Sequence, residues 1–349
     1  MKRVVFAVPG NLDTPTGGYA YDRRIMAELR QLGWNVDYLD IGEGFPEPDE
    51  ATRSMARSLL SAIPAGSPIV MDGLALGILP DLAAELARQH PLVALVHHPL
   101  ALESGLTAER ADFLHHSERA ALAEVREVVV TSSTTAKLVA SGYDVPADRI
   151  TIARPGNDPV PRSAREPNDI PHLLSVGAVV PRKGFDVLVS ALATLADIPW
   201  RLTIVGDLTR DPSEAARLKG LISRLGLTTR IETTGAVSPS LLATLFGKAD
   251  MFVLASRFEG YGMAYAEALS YGLPIIGTTA GAIPDTVPNG AGLLVPPDDS
   301  AALAAALRSV IVNSDRRRLL SEAALLAARA LPTWQQSAAL FATTLDRLA

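Results

Sequence analysis

Two glutamates eight residues apart, Glu259 and Glu267, lie in the stretch of the sequence that carries the strongest signs of chemistry. An apolar run at residues 251–255 predicts a strand, Gly260 and Gly262 predict a tight loop, and a helix follows. The N–H groups of such a loop and the helix dipole favour an anion at the helix start. Because each carboxylate can accept hydrogen bonds from neighbouring hydroxyls, we expect a ligand with hydroxyls beside phosphates, as in a sugar nucleotide.

A second interpretation is that both glutamates only complement the dipole of the helix. Glu267 alone would fit that interpretation, whereas Glu259 stands in a loop whose two glycines dipole complementation does not require. The loop at residues 281–285 either borders the same site or is a plain turn before a helix. The glutamate pair therefore favours a ligand site.

Arg182 and Lys183 offer positive charge at another strand-to-helix turn. They follow a predicted strand at residues 173–176 and precede Gly184. There an arginine can bind a phosphate as a fork and a lysine can bind it as a point charge. The alternative is a solvated basic pair, but ligands of open α/β sheets bind beyond the carboxyl ends of strands, which favours a phosphate clamp.

Gly17 and Gly18 close the loop that follows the first predicted strand. They would let the backbone approach a ligand at the start of a helix, where an anion is favoured. Gly10 and Gly17 are seven residues apart, so the loop is not the GxGxxG pattern of dinucleotide-dependent dehydrogenases. A glycine turn required only by packing explains the loop equally well.

His97 and His98 end a predicted strand at residues 92–96. A histidine there can donate a hydrogen bond or titrate near neutral pH, although an isolated histidine is more often structural. Strand alternation sends the two rings to opposite faces, so we expect at most one to act. His115 and His116 lie in a charged helical pattern that predicts a solvated face. Neither pair has a metal-ligand spacing with carboxylates, and we expect no metal ion.

Apolar runs alternate with amphipathic helical patterns along the whole chain. One such pattern, residues 23–32, has Ile25, Met26, Leu29 and Leu32 on one face. Short continuous apolar strands separated by helices indicate parallel sheets covered on both faces. The series occurs twice, so we predict an α/β protein of two doubly wound, Rossmann-like domains that face each other across a cleft. Twelve strands are predicted, at residues 4–8, 36–41, 69–71, 92–96, 128–131, 150–153, 173–176, 202–205, 231–233, 251–254, 274–277 and 292–295.

Prolines at residues 155–171 predict the linker between the domains. We place the first domain at residues 1–165 and the second at residues 166–330. A C-terminal helix at residues 331–349, with Trp334, Ala338, Phe341 and Leu345 on one side, is expected to pack back on the first domain.

Composition excludes several classes of protein. The chain of 349 residues is 48% hydrophobic, has a formal net charge of −6 and contains no cysteine, so disulfides and thiolate chemistry are excluded. The acidic balance argues against nucleic acid as a partner. No apolar run reaches the length of a membrane span, and the N-terminal apolar stretch predicts a strand and not a signal peptide. We expect a cytoplasmic protein, with peripheral membrane contact left open.

With these residues in place, the sequence resembles the retaining, metal-independent glycosyltransferases with two Rossmann domains, the GT-B type, and within them the family 4 enzymes. The resemblance covers essentially the whole chain, and its most specific part is Glu259 to Glu267, which looks like the family's E-x7-E signature. It implies a nucleoside-diphosphate sugar as co-substrate, no cofactor, and transfer of a hexosyl group to an acceptor hydroxyl with retention of configuration. The acceptor stays open between a saccharide, a lipid and a small molecule.

The resemblance also implies roles for individual residues. Glu267 would hold the ribose hydroxyls of the donor, Glu259 the transferred sugar, and Lys183 the diphosphate. His97 resembles the family's strand-end histidine near the donor sugar, with His98 as the alternative. Residues expected to line the rest of the donor site are Gly17, Gly18, Gly260, Tyr261, Gly262, Met263 and Val237, the last within the loop expected to select the base.

One residue departs from the family pattern. The family usually has arginine directly after the glycine that corresponds to Gly177, and here that residue is Ala178. A phosphate contact is therefore missing or moved, and Arg182 is the candidate to supply it. Two alternatives to a transferase follow: a nucleotide-sugar epimerase of the same architecture, and a sugar-nucleotide binder without catalytic activity.

Overall fold

A computed structural model describes residues 2–160 and 169–348. The chain forms two compact units, Met1–Gly156 with Pro332–Ala349, and Asn157–Leu331. The predicted boundary between residues 165 and 166 lies outside the described residues. The C-terminal helix belongs to the first unit.

Each unit contains one parallel sheet. The strands of the first unit are β1 (Arg3–Val8), β2 (Asn35–Asp40), β3 (Ile69–Asp72), β4 (Leu92–Val96), β5 (Glu127–Val130) and β6 (Ile150–Ile152). Those of the second are β7 (His172–Val176), β8 (Arg201–Val205), β9 (Ile231–Gly235), β10 (Met251–Val253), β11 (Ile275–Thr278) and β12 (Gly292–Val295).

Helices connect the strands in both units. The first unit has α1 (Gly17–Gln31), α2 (Glu50–Ser61), α3 (Gly73–Leu76), α4 (Pro80–Ala87), α5 (Ala108–Glu124) and α6 (Ser133–Gly142). The second has α7 (Phe185–Ala193), α8 (Pro212–Arg224), α9 (Pro239–Lys248), α10 (Met263–Ser270), α11 (Ile283–Thr286), α12 (Ser300–Ile311) and α13 (Ser314–Ala328). The last helix, α14 (Trp334–Asp346), returns to the first unit.

The sheet of the first unit has the order β2-β1-β3-β4-β5-β6, and every pairing in it is parallel. Its central strands are almost fully buried because helices cover both faces. Helix α14 packs on this unit, where the rings of Phe341 and Phe6 have centroids 5.6 Å apart. Ser337 on the same helix donates a hydrogen bond to the carbonyl of Arg154.

The sheet of the second unit has the order β12-β11-β10-β7-β8-β9 and is also parallel. Strands β10 and β7, which lie side by side, are followed by the loops that contain Glu259 and the Arg182–Lys183 pair. Because both strands run in the same direction, these loops emerge at the same edge of the sheet. Parallel topology therefore brings together residues about 76 positions apart in sequence.

The predicted fold class is confirmed, since two doubly wound α/β units carry all twelve predicted strands within a few residues of their predicted ends. Leu32 is the exception on the predicted face of α1. The helix ends at Gln31, so Leu32 lies beyond the last turn and is 49% exposed, while Ile25, Met26 and Leu29 are buried.

In the described part of the chain, no helix combines the length and apolar character that crossing a membrane requires.

Gly184 joins the turn at Pro181–Lys183 to α7 in a left-handed conformation, with φ of +63°. A Cβ at this position would lie 2.0 Å from the carbonyl oxygen of Ala255, which follows β10. Only glycine tolerates both the backbone conformation and the close approach. Gly184 therefore allows the turn that carries Arg182 and Lys183 to pack against the end of β10.

We predict that Gly184→Ala destabilises the protein far more than Gly226→Ala. Gly226 has a similar φ of +69° but no atom within 4 Å of the added Cβ, so it isolates the backbone strain, about 1 kcal/mol. The steric overlap at residue 184 should add at least about 2 kcal/mol. Urea unfolding of both variants measures the difference, and equal losses would contradict the packing argument.

Candidate functional site

Glu259 is the centre of a cluster of charged side chains in the second unit. Its side chain is 8% exposed and accepts hydrogen bonds from Lys183 Nζ at 2.6 Å and from Ser256 Oγ at 2.6 Å, both at Oε1. Arg182 Nη1 lies 3.5 Å from Oε2 and donates a hydrogen bond to the carbonyl of Phe258 at 2.9 Å. Two cations therefore converge on one buried carboxylate.

The electrostatics of Glu259 follow from this geometry. Burial alone would raise the pKa of its carboxyl, but the charges of Lys183 and Arg182 and the hydrogen bonds from Lys183 and Ser256 lower that pKa below its ordinary value. Glu259 is thus ionised at neutral pH. Lys183 and Arg182 together carry one more charge than the Glu259 carboxylate that they face, which suits an anionic ligand.

Arg257 holds the two loops of this cluster together. Its backbone N–H donates to the carbonyl of Arg182 at 2.8 Å, and its Nη1 donates to the carbonyl of Pro181 at 2.5 Å. The same guanidinium donates from Nη2 to Asp186 at 2.8 Å and from Nε to Asp298 at 2.7 Å. Sequence reasoning missed Arg257 and Ser256, because their partners are distant in sequence and only their position beside Glu259 singles them out.

The loop from Gly260 to Gly262 continues into α10. Gly262 is the N-cap of α10 and Met263 its first residue, and no side chain caps this end of the helix. The carbonyl of Tyr261 accepts a hydrogen bond from Thr286 Oγ1 at 2.5 Å, and the carbonyl of Glu259 accepts one from the backbone of Ala282 at 2.8 Å. Ala282 and helix α11, which include the predicted loop at residues 281–285, therefore pack directly against the Glu259 loop.

Glu267 lies on α10, partly buried, in a different environment from Glu259. Burial and the nearby negative charge of Asp158 raise the pKa of its carboxyl to about 7. Val237 lies between β9 and α9 and packs, partly buried, against the hydrophobic core of the second unit. Glu267 and Val237, both predicted to line the donor site, thus lie on separate elements of the second unit.

In the first unit, His97 meets two buried carboxylates. Its Nε2 lies 3.2 Å from Asp22 Oδ1 and 3.5 Å from Asp72 Oδ2, and its side chain is 22% exposed. The ring of Tyr21 packs edge-on against the imidazole at 5.4 Å between centroids. A Cβ on residue 18 would lie 3.3 Å from His97 Cδ2, so Gly18 lets the start of α1 approach the ring.

The two adjacent histidines have different partners. His98 Nε2 lies 3.4 Å from Glu103 Oε2, on a more exposed carboxylate. Burial disfavours the charged form of His97, but the Asp22 charge and hydrogen bond, with those of Asp72, raise the pKa of His97 to about 10. Within residues 2–160 and 169–348, one carboxylate oxygen of Asp22, one of Asp72 and a ring nitrogen of His97 lie within 4.8 Å of one another. Sequence reasoning missed both aspartates.

The structure thus brings the predicted site residues together in two groups. Arg182, Lys183 and Glu259 form one cluster in the second unit, with Gly260, Tyr261, Gly262 and Met263 continuing from it into α10. Gly18 and His97 are in contact in the first unit, and Gly17 is the exposed first residue of α1.

Comparison with known proteins shows similarity to glycosyltransferases. The sequence model of group 1 glycosyl transferases matches residues 158–326. The sucrose-phosphate synthase of Thermosynechococcus elongatus has 21% identity and a TM-score of 0.82, over 99% of this chain and 98% of that one. The Anabaena protein HepE, solved in complex with UDP-glucose, has 18% identity and a TM-score of 0.75, over 99% of this chain and 100% of that one.

The fold is therefore that of the GT-B glycosyltransferases, and residues 158–326 are similar in sequence to the group 1 glycosyl transferases. A similar curated protein is the MMP alpha-(1->4)-mannosyltransferase of Mycolicibacterium hassiacum, which is 29% identical over 261 residues. That match covers 70% of this chain and 61% of the relative.

We predict a strong energetic coupling between Lys183 and Glu259. Lys183→Met removes one of the two positive charges that compensate the buried carboxylate of Glu259. The double variant with Glu259→Gln also removes the negative charge of that carboxylate. The coupling energy from urea unfolding of the four proteins should be about 1–3 kcal/mol. It should vanish as pH falls through the lowered pKa of Glu259, because the stability that an ionised carboxylate contributes is present only above that pKa.

The control is a double-mutant cycle on Arg308 and Asp197, which form a bidentate ion pair on the surface of the same unit. The two guanidinium nitrogens of Arg308 each lie 2.7 Å from a carboxylate oxygen of Asp197. Their side chains are 41% and 60% exposed, so water screens the pair. The coupling there should be much smaller. Equal coupling energies in the two cycles would show that burial of Glu259 does not strengthen its interaction with Lys183.

Proposed function

We propose that this protein is a retaining hexosyltransferase that takes its sugar from a nucleoside-diphosphate donor and needs no metal ion. The carboxylate of Glu259 between Lys183 and Arg182 is the observation that carries the proposal. A ligand bound there meets oxygen acceptors for its hydroxyls and cations for its phosphates within a few ångströms. A diphosphate attached to a sugar has that combination of groups.

The surrounding backbone supports the same ligand. No side chain caps the first turn of α10, so the N–H groups of Met263 and Ala264 and the helix dipole would be available to phosphate oxygens, while the N–H of Tyr265 donates to the carbonyl of Gly262. Glu267 on the same helix would accept hydrogen bonds from the ribose hydroxyls. The loop at Val237 would border the base. From the first unit, His97, Gly17 and Gly18 are proposed to contact the donor as the family resemblance implies.

Arg182 is proposed to supply the phosphate contact that Ala178 cannot make. Its guanidinium lies beside the Glu259 carboxylate, on the opposite oxygen from Lys183, so it reaches the cluster from four residues further along the chain. Arginine is a common phosphate-binding residue because its planar guanidinium carries several N–H donors. A third positive side chain at residue 178 is then not required.

Catalysis would consist of positioning and of charge stabilisation. Lys183 and Arg182 would stabilise the negative charge that develops on the diphosphate as the bond to the sugar breaks. Glu259 would hold hydroxyls of the transferred sugar and keep both cations in place before the donor binds. The departing phosphate would accept the proton of the acceptor hydroxyl on the same face of the sugar, which yields retention.

The proposal is tested by product analysis with a panel of UDP- and GDP-hexoses and hydroxyl acceptors. Acceptor-dependent release of nucleoside diphosphate, with the anomeric configuration retained in the product NMR spectrum, is expected. Conversion of donor without acceptor would indicate an epimerase. Binding without turnover would indicate an inactive sugar-nucleotide binder, the outcome that Ala178 would explain.

We predict that Lys183→Ala lowers turnover at least tenfold and that Glu267→Ala weakens donor binding at least tenfold, the effect of losing one charge-assisted hydrogen bond. Lys248→Ala and Glu322→Ala remove the same side-chain types from other helices of the same unit and should change neither quantity. Steady-state kinetics and calorimetry separate the two effects. If neither site variant changes its quantity tenfold, the site assignment is wrong.

Donor binding should also depend on pH through Glu267. Its carboxyl has a pKa raised to about 7, and ribose hydroxyls donate to the ionised form, so binding must first remove the proton at lower pH. The dissociation constant should therefore rise about tenfold for each pH unit below about 7. Glu267→Gln should abolish this slope, and Asp158→Asn should move it to lower pH because it removes the neighbouring charge. A flat profile in the unmodified protein would contradict the role of Glu267.

A further inference from the structure

Asp22 is a carboxylate without access to water in the first unit. Its exposure is 0%, and its Oδ2 has no hydrogen-bond partner within the described residues. Its Oδ1 faces His97 Nε2 at 3.2 Å. A buried carboxylate is stable only when a positive charge or several donors compensate it, and His97 is the group in hydrogen-bond contact that can carry such a charge.

Asp72 presents a second carboxylate to the same nitrogen. It is 3% exposed, and its two oxygens have separate tasks. Its Oδ1 caps α3 by accepting from the backbone of Leu74 at 2.7 Å, while its Oδ2 lies 3.5 Å from His97 Nε2. Both carboxylates therefore face the same ring nitrogen, Nε2 of His97. This nitrogen must carry a proton to interact favourably with either carboxylate.

The rest of the surroundings hold the ring in place. The edge-on contact with Tyr21 and the close approach of Gly18 confine the imidazole, and Thr131 Oγ1 donates to the carbonyl of His97 at 3.2 Å. The positive charge of Arg23 also acts on Asp22 and lowers the pKa of its carboxyl. In the described part of the chain, no hydrogen bond is formed by Nδ1, so this is the nitrogen left for a ligand.

We propose that Asp22 and Asp72 are positioning residues that keep His97 in its imidazolium form, so that Nδ1–H donates to a sugar hydroxyl or phosphate oxygen and His97 does not act as a base. A neutral histidine beside the same ligand could accept the acceptor's proton, whereas an imidazolium cannot. The role of the ligand rests on the proposed function; the state of the ring does not.

The test begins with the protein alone. In protein labelled with 15N-histidine, and with the His97 signals assigned from His97→Gln, both ring nitrogens should stay protonated from about pH 6 to about pH 9, where an ordinary histidine loses its proton. Asp22→Asn and Asp72→Asn, either of which suffices if the other does not fold, should each move the titration of His97 into this range. A His97 that titrates near about 6.5 in the unmodified protein would overturn the proposal.

The matched control is Asp112→Asn. Asp112 Oδ1 lies 3.4 Å from His116 Nδ1, but the two side chains are 73% and 65% exposed. This substitution removes an aspartate beside a histidine without burial, and it should leave the titration of His97 unchanged. A shift of His97 in this variant equal to that in Asp22→Asn would mean that remote charge and not the buried contact sets its protonation, and would also overturn the proposal.

A bound cation is the rival explanation for two carboxylates and an imidazole in contact. Protein treated with EDTA is titrated with Zn²⁺ by calorimetry. No uptake at these groups is expected, since the proton already occupies Nε2. Binding of one equivalent of Zn²⁺ that is lost in both Asp22→Asn and Asp72→Asn would overturn the proposal.

The role toward the ligand is read from donor affinity as a function of pH. At pH values above the new pKa of His97, Asp22→Asn should bind the nucleotide sugar about tenfold more weakly than the unmodified protein does at the same pH. Below that pKa the two proteins should bind almost equally, because only the imidazolium donates from Nδ1. An equal loss at all pH values would indicate a merely structural effect and would count against the proposal. If no nucleotide sugar binds at all, the proposed function fails, while the NMR titration still decides the state of the ring.

Discussion

Burial of the Glu259 carboxylate is the constraint on which the rest of the second unit's site depends. An ionised carboxylate removed from water is stable only with nearby positive charge, and Lys183 and Arg182 supply it. Both cations lie on a turn that reaches the carboxylate only because Gly184 permits contact with the end of β10. Arg257 then fixes that turn to the Glu259 loop.

The first unit also has buried charges of opposite sign in contact, but there the carboxylates outnumber the positive group. Here two buried carboxylates, Asp22 and Asp72, converge on one histidine. In the second unit two cations face one carboxylate, and in the first two carboxylates face one imidazole nitrogen. Asp72, His97 and the residues of the second cluster lie at the carboxyl ends of parallel strands, where neighbouring loops emerge side by side, and Asp22 reaches His97 from α1. Preorganised charges of this kind cost little further rearrangement when a ligand binds.

Much of the site could be predicted because its chemistry lies next to strand ends in the sequence. Glu259, Lys183 and His97 each follow a short apolar run that predicts a buried strand, and glycines flank the first two of these residues. Asp22 and Arg257 gave no such signal. Asp22 is one of several polar residues on an amphipathic helix, and Arg257 looks like any surface arginine until its partners, Asp186 and Asp298, are known.

By itself the sequence determined the two doubly wound α/β units and the loops that carry the chemistry, because hydrophobic period and glycine position are local properties. The tertiary structure decided which charges meet. The sequence places Glu259 in a loop and Glu267 on a helix but does not indicate that the pKa of the first is lowered by two cations and that of the second raised by burial and Asp158. Burial and long-range ion pairs arise only when distant segments pack, so no local pattern encodes them.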